Sequence, residues 1–154
     1  MSAVPFHIYI DADACPVKDE VYKVAFRYGV SVSVVSNSFM RIPDDPLISR
    51  VIVSAGPDVA DDYIAERADD QSVVITADIL LADRCVKANA IVIGPTGKRF
   101  TEDTIGSAVA TRNLMEGLRS TGEITGGPAP FSKADRSRFL SALDEALVRL
   151  KRRG

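Results

Sequence analysis

The sequence has no tryptophan, one histidine and two cysteines, and each scarcity excludes a class of site. With His7 alone, a Ser-His-Asp triad or a histidine-rich zinc site is difficult to build, so we expect His7 to be structural, inside the first strand. Cys15 and Cys85 match no metal-binding or disulfide-framework spacing. Both are therefore expected to be reduced thiols.

Long apolar runs are also missing. No stretch approaches the roughly 18 residues that a membrane span requires, and the first residues carry no signal-peptide pattern. The 19 basic and 21 acidic side chains nearly balance, and 46% of the residues are hydrophobic, as in an ordinary globular protein. We expect a single domain over residues 1–154, no membrane partner and, by default, a cytoplasmic location. The oligomeric state stays open.

The chain alternates β-branched runs with amphipathic segments of helix length, which is typical of a parallel sheet with crossover helices. Strands are predicted at 6–12, 30–36, 50–54, 72–77 and 90–93, and helices at 16–28, 58–70, 78–88, 101–120 and 132–152. We predict an α/β domain of three layers, α/β/α, with a mostly parallel central sheet of about five strands and the last two helices packed at one side. The loops 37–48 and 122–131 are candidate lids or binding loops.

Aspartates recur where the predicted strands end. Asp11 and Asp13 close the first strand in IYIDADACPVKDE, and Asp78 closes the fourth in VVITAD. Open parallel sheets bind ligands at the carboxyl ends of their strands, and these ends share one edge of the sheet. We therefore expect the three carboxylates to lie near one another.

A second acidic group follows the third strand, in GPDVADD. Asp58, Asp61 and Asp62 have the i, i+3, i+4 spacing that places side chains on one face of a helical turn. Asp83 lies about a turn and a half beyond Asp78 on the predicted third helix. Taken singly, such aspartates are commonly helix caps, dipole complements or part of a solvated face.

Carboxylates that converge without a counter-charge repel and raise each other's pKa, and a divalent cation relieves the repulsion. Mg²⁺ and Mn²⁺ prefer hard oxygen ligands and can activate water for phosphoryl hydrolysis without histidine or cysteine. We predict a Mg²⁺ or Mn²⁺ site in which Asp11, Asp13 and Asp78 are catalytic ligands. Asp58 or Asp62 would complete the site, directly or through water.

Polar and basic residues on neighbouring loops suit RNA or another phosphate-bearing substrate. Asn37, Ser38 and Arg41 follow the second strand, whereas Lys98 precedes the fourth helix and Arg112 lies within it. We predict these five residues as substrate contacts. The GPTGK segment is too short for a GxxxxGK phosphate loop and follows the wrong strand.

Nearly the whole chain carries, in order, the motifs DADACPVK, SNSFMRIP, GPDVADDYI, VVITADILLA, GPTGKRFTEDTI and TGGPAPFSKADRSRF. In these motifs it resembles the YaiI/YqxD family of small bacterial proteins. That family is similar to PIN-like nucleases, in which acids at the strand ends bind Mg²⁺ or Mn²⁺ and cut RNA. The resemblance implies a PIN-like fold and ribonuclease activity, with Asp11 beside Asp13, Asp58 or Asp62, and Asp78 as the metal-binding acids. The closely spaced DADAC, next to a proline, departs from many PIN nucleases.

Three alternatives stay open. Residues 11–15 approximate the DxDx[TV] motif of haloacid-dehalogenase-like phosphatases, with Asp11 as nucleophile and Asp13 as general acid, although Cys15 stands where threonine or valine is expected and Pro16 starts a helix at once. A thiol mechanism at Cys15 is opposed by the adjacent aspartates, which disfavour the thiolate. The third alternative is a non-catalytic module that binds RNA or a nucleotide and holds a structural ion.

Overall fold

The structure is a computed structural model that describes residues 6–56, 58–120 and 131–153. The strands are β1 His7–Asp11, β2 Ser31–Ser36, β3 Ile48–Ile52, β4 Ser72–Ile75, β5 Ile91–Ile93 and β6 Arg99–Phe100. The helices are α1 Lys18–Tyr28, α2 Val59–Arg67, α3 Ile79–Lys87, α4 Glu102–Ser120 and α5 Lys133–Arg153. A 3-10 turn, Ala12–Ala14, joins β1 to α1. The predicted loop at 122–131 lies, except for its last residue, outside the described residues.

The strands form one sheet in the order β3-β2-β1-β4-β5-β6. The first five of these are parallel, which confirms the predicted α/β class with a mostly parallel sheet. β6 was not predicted, because its two residues lie in a glycine-rich segment that indicates a turn; they become a strand by antiparallel pairing with β5. From β1 the chain builds β2 and β3 on one side of that strand, and then crosses to build β4, β5 and β6 on its other side. The strand order therefore reverses direction between β1 and β4.

Helices cover both faces of the sheet and give the predicted three layers. On one face, α1 and α5 bury Val21, Phe139 and Leu143. On the other face, α2, α3 and α4 bury a second apolar cluster that includes Ile64, Leu81 and Ile105. The prediction that the last two helices pack at one side is therefore wrong. The apolar face of α5 packs against one face of the sheet, and the apolar face of α4 packs against the other.

His7 has the structural role expected of it. Its Nδ1 and Nε2 atoms each lie 2.7 Å from a serine hydroxyl of β2, those of Ser31 and Ser33, so the ring ties β1 to its neighbour. Burial lowers the pKa of His7, and the nearby Asp69 opposes that shift. Among the described helices, none has the length and apolar character needed to cross a bilayer.

Candidate acidic site at the switch point of the sheet

Asp11 and Asp78 lie side by side because β1 and β4 are neighbours in the sheet. Asp11 is the last residue of β1, and Asp78 follows β4 by three residues and is the N-cap of α3. Its Oδ1 accepts hydrogen bonds from the backbone N–H groups of Leu80, at 2.9 Å, and Leu81, at 3.3 Å. The N-cap geometry therefore holds the carboxylate at the helix start, where the helix dipole favours negative charge.

Thr76 joins the two acids. Its hydroxyl donates a hydrogen bond of 2.8 Å to Asp11 Oδ2 and accepts one of 3.0 Å from the backbone N–H of Asp78. Thr76 is almost completely buried, at 1% exposed. Thr76 is not among the predicted site residues, although a hydroxyl two positions before an N-cap aspartate at a strand end is a recognisable signal.

Asp61, from the first turn of α2, completes a three-acid cluster. Burial raises the pKa of Asp61 to about 6, and the charges of Asp78 and Asp11, together with a hydrogen bond to Asp78, act in the same direction. The pKa of Asp11 is raised as well, first by burial and then by the charges of Asp78 and Asp13, against the hydrogen bond from Thr76. These acids therefore share one electrostatic environment that disfavours full ionisation.

Asp13 and Asp58 lie at the margin of the cluster. Asp13 is exposed, and its Oδ2 accepts a hydrogen bond of 3.1 Å from the backbone N–H of Asn37. Asp58 precedes α2 with φ of 69°, its side chain makes no capping hydrogen bond, and its charge adds to the rise in the pKa of Asp61. Both predicted acids are close enough to influence the cluster electrostatically.

The other two candidate acids are engaged elsewhere. Asp62 forms an ion pair of 2.8 Å with Arg84, and Asp83 forms one of 2.9 Å with Lys87. Asp61, rather than Asp62, thus faces the strand ends. It precedes the buried Ile64 by three residues, and this spacing on the helix could have identified it.

The cluster borders a cavity of about 190 Å³ whose wall includes Asp11, Cys15, Thr76, Asp78 and Pro95. It lies where the strand order reverses, which is the usual ligand crevice of an open α/β sheet. Among the described residues, no three acid, histidine or cysteine side chains are arranged as a preformed metal site. The charges of neighbouring acids raise the pKa of Asp11 and of Asp61, but the described carboxylates do not converge on one metal position.

The predicted substrate contacts are spread along the same edge of the sheet. Asn37, Ser38 and Arg41 are exposed on the loop after β2. Lys98 is exposed on the loop after β5 and lines a groove of about 500 Å³ between the start of α3 and α4. Arg112 lies in α4, but its side chain is not among those described.

The two thiols are poor nucleophiles. Burial raises the pKa of Cys85 to about 12. Burial also raises the pKa of Cys15, against a backbone hydrogen bond at Val17 and the charge of Lys18, and the charge of Asp11 adds to the rise. Cys15 borders the acidic cavity, yet its environment favours the neutral thiol, which weighs against a thiolate mechanism.

The fold and the cavity define a doubly wound α/β protein with an acidic crevice at its topological switch point. The family described as "Uncharacterized BCR, YaiI/YqxD family" matches residues 9–149, and the chain belongs to it. It is 61% identical to UPF0178 protein bll3966 of Bradyrhizobium diazoefficiens over 99% of this chain and 92% of that protein. It is 65% identical to a UPF0178 protein of Azorhizobium caulinodans over 97% of this chain and 94% of that one. No solved structure is a significant match.

Proposed function

We propose that this protein is a Mg²⁺- or Mn²⁺-dependent phosphodiester hydrolase of PIN-like type that acts on RNA. The observation that carries the proposal is that Thr76 holds Asp11 beside Asp78, at the cavity where the strand order reverses. Asp61 is close enough that burial and the charges of Asp78 and Asp11 raise its pKa to about 6. Placing these three acids, from three elements, close to one another costs stability. A bound cation would recover that cost.

The donor set fits this class of metal. Asp11, Asp61 and Asp78 offer only carboxylate oxygens, which suit Mg²⁺ and Mn²⁺ better than metals that prefer nitrogen or sulfur ligands. A cation bound here would lower the pKa of a coordinated water and offset charge on a phosphodiester. Because the described acids are not a preformed metal site, we expect their side chains to close on the ion as it binds.

The chain's own residues would orient the substrate around this centre. Thr76 holds the Asp11 carboxylate in place through a 2.8 Å hydrogen bond. Lys98 and Arg41 are exposed on loops that leave the same edge of the sheet, on either side of the cluster. Their positive charges would contact phosphates that flank the one being cleaved.

A second candidate is binding of RNA around a structural ion without cleavage, which would use the same acids and the exposed Arg41 and Lys98 but needs no activated water. A haloacid-dehalogenase-like phosphatase is less compatible with the fold. Only the 3-10 turn and a few residues separate Asp11 from α1, which begins at Lys18. That interval leaves no room for the mobile flap that this class of phosphatase needs after its first strand.

The metal site is tested by calorimetric titration with Mn²⁺. We expect a binding isotherm for the wild type and its loss in the Asp11→Asn, Asp78→Asn double variant. Asp83→Asn is the matched control, because this aspartate is paired with Lys87 and should leave the isotherm unchanged. An unaltered isotherm in the double variant would place the metal elsewhere and overturn the proposal.

Activity is tested with a labelled single-stranded RNA in Mn²⁺, in Mg²⁺ and in a chelator. We expect cleavage only with the metal, at least about tenfold slower in Asp61→Asn, because one ligand and its charge are lost. Cleavage by Cys15→Ser should match the wild type. Retention of RNA without cleavage in either metal would instead support the binding module.

A further inference from the structure

We propose that Phe39 and Arg50 form a stacking platform for an unpaired base of single-stranded nucleic acid, beside the acidic site. This platform would make the substrate of the proposed hydrolase a single strand, because Phe39 would stack on an unpaired base. The inference rests on the proposed function for the identity of the ligand as a nucleic acid. Its own support comes from the geometry of the loop after β2.

Phe39 is exposed to solvent, and Arg50 packs against its ring. Its side chain is 71% exposed, more than any other large apolar side chain among the described residues. The Arg50 guanidinium lies 4.0 Å from the ring centroid, and Arg50 Nε donates a hydrogen bond of 2.8 Å to the carbonyl of Met40. A tethered cation thus covers one face of the ring, and the high exposure leaves the opposite face open for another planar group.

A short segment of chain links the platform to Asp13, at the margin of the acidic cluster. Asn37 lies two residues before Phe39, and its backbone N–H donates to Asp13 Oδ2 at 3.1 Å. A chain of two residues spans at most about 7 Å, so Phe39 stays close to that contact. The charge of Asp13 in turn acts on Asp11. A strand that enters the acidic crevice would therefore bring a neighbouring nucleotide to the ring.

The chemistry of this rim suits a single strand. An exposed aromatic face stacks on any base, and arginines beside it attract the adjoining phosphates. Arg50 and the exposed Arg41 supply those charges. In a duplex, by contrast, both faces of each base are already stacked on neighbouring pairs, so the ring would have no base to contact.

The absence of tryptophan from the sequence allows a direct test. Phe39→Trp places a single fluorescent indole on the platform, and Phe26→Trp places one on α1, where the native side chain is 44% exposed. Both are made in an Asp11→Asn background and titrated with a short oligoadenylate in a chelator. We expect the fluorescence of the Phe39→Trp protein to be quenched by the single strand and little changed by a matched duplex. The Phe26→Trp protein should not respond.

Affinity gives the second measurement, by fluorescence anisotropy of the same labelled oligoadenylate. Phe39→Ala should weaken binding roughly tenfold, the loss expected for one stacked base, whereas Phe39→Trp and Phe26→Ala should bind like the wild type. Thermal unfolding verifies that Phe39→Ala is folded, as expected for an exposed side chain.

The outcomes separate this inference from the proposed function. Quenching at position 39 in a protein that never cleaves RNA supports the platform and removes the hydrolase. Metal-dependent cleavage that Phe39→Ala leaves unchanged, with no quenching, overturns the platform and keeps the hydrolase. Equal quenching by single strand and duplex, or no oligonucleotide binding, also overturns the platform and leaves Phe39 as a contact for some other partner.

Discussion

The hydroxyl of Thr76 donates a 2.8 Å hydrogen bond to the carboxylate of Asp11, across the boundary between two neighbouring parallel strands. The same hydroxyl accepts the backbone N–H of Asp78 at 3.0 Å. One buried side chain therefore sets the relative position of two acids that are far apart in sequence. Its hydrogen bond also opposes the rise in the pKa of Asp11 that burial and the charges of Asp78 and Asp13 cause.

Removing that hydroxyl should cost stability. In Thr76→Val, the backbone N–H of Asp78 and the carboxylate of Asp11 both lose a hydrogen-bond partner in a partly buried site, and we expect a loss of about 1–3 kcal/mol. Thr76→Ser keeps the hydroxyl and should recover most of the loss. Urea denaturation in a chelator measures both. A Thr76→Val protein as stable as the wild type, with the loss appearing in Thr76→Ser instead, would mean that the methyl group and not the hydroxyl matters here.

Metal-free stability should depend on pH through Asp61. The pKa of this group rises from 3.8 to about 6 on folding, so the native state binds more protons than the unfolded state between those values. The free energy of unfolding should therefore fall as the pH rises through that range. Asp61→Asn should remove this loss and stabilise the protein by about 1 kcal/mol at pH 7, after allowance for screening of a partly exposed group.

At pH 4 the same substitution should give little or no gain, because Asp61 is largely protonated in the native state there. Asp83→Asn, which removes an acid outside the cluster, should not stabilise at either pH. His7 titrates with the opposite sign, since its lowered pKa costs stability in acid, but it is present in every variant and cancels in the difference. A gain from Asp61→Asn that is equal at both pH values would contradict the electrostatic explanation.

Gly97 should tolerate no side chain. Its φ of 91° is in the left-handed region, and an added Cβ would lie 2.7 Å from the carbonyl carbon and oxygen of Arg138 and 2.9 Å from the backbone nitrogen of Phe139. Gly97→Ala should therefore destabilise the protein by more than about 2 kcal/mol. Gly106, in α4, has nothing within 4 Å of an added Cβ, and Gly106→Ala should gain about 0.5–1 kcal/mol. Thermal unfolding of both variants compares the two positions.

Neither thiol of the native protein should react readily with iodoacetamide at pH 8. Burial raises the pKa of Cys85 to about 12 and also raises that of Cys15, so little thiolate forms at either position. In urea both should be alkylated, as intact mass measures. Rapid native modification of Cys15 would revive a thiol mechanism in the acidic cavity.

Local patterns were sufficient for most of the architecture. The apolar runs of β2, β4 and β5 are recognisable because a sheet covered on both faces buries successive residues of its central strands. The helices between the strands carry their own start and stop residues. The aspartates at strand ends could also be predicted from the sequence. A parallel sheet places every carboxyl end at one edge, so Asp11 and Asp78 could be expected there from sequence order alone.

Other features depend on contacts between residues distant in sequence. Asp61 and Asp62 are adjacent on one helix, and only the packing of Ile64 turns the first towards the cluster while Arg84 engages the second. β6 is a strand only because it pairs with β5. α4 and α5 lie on opposite faces of the sheet because each packs against a different apolar cluster. Phe39, on the loop after β2, meets Arg50 of β3 only because the fold brings the Arg50 guanidinium over its ring. The direction of a side chain and the pairing of a short strand depend on residues that are close in space but distant in sequence. A local sequence pattern therefore cannot predict them.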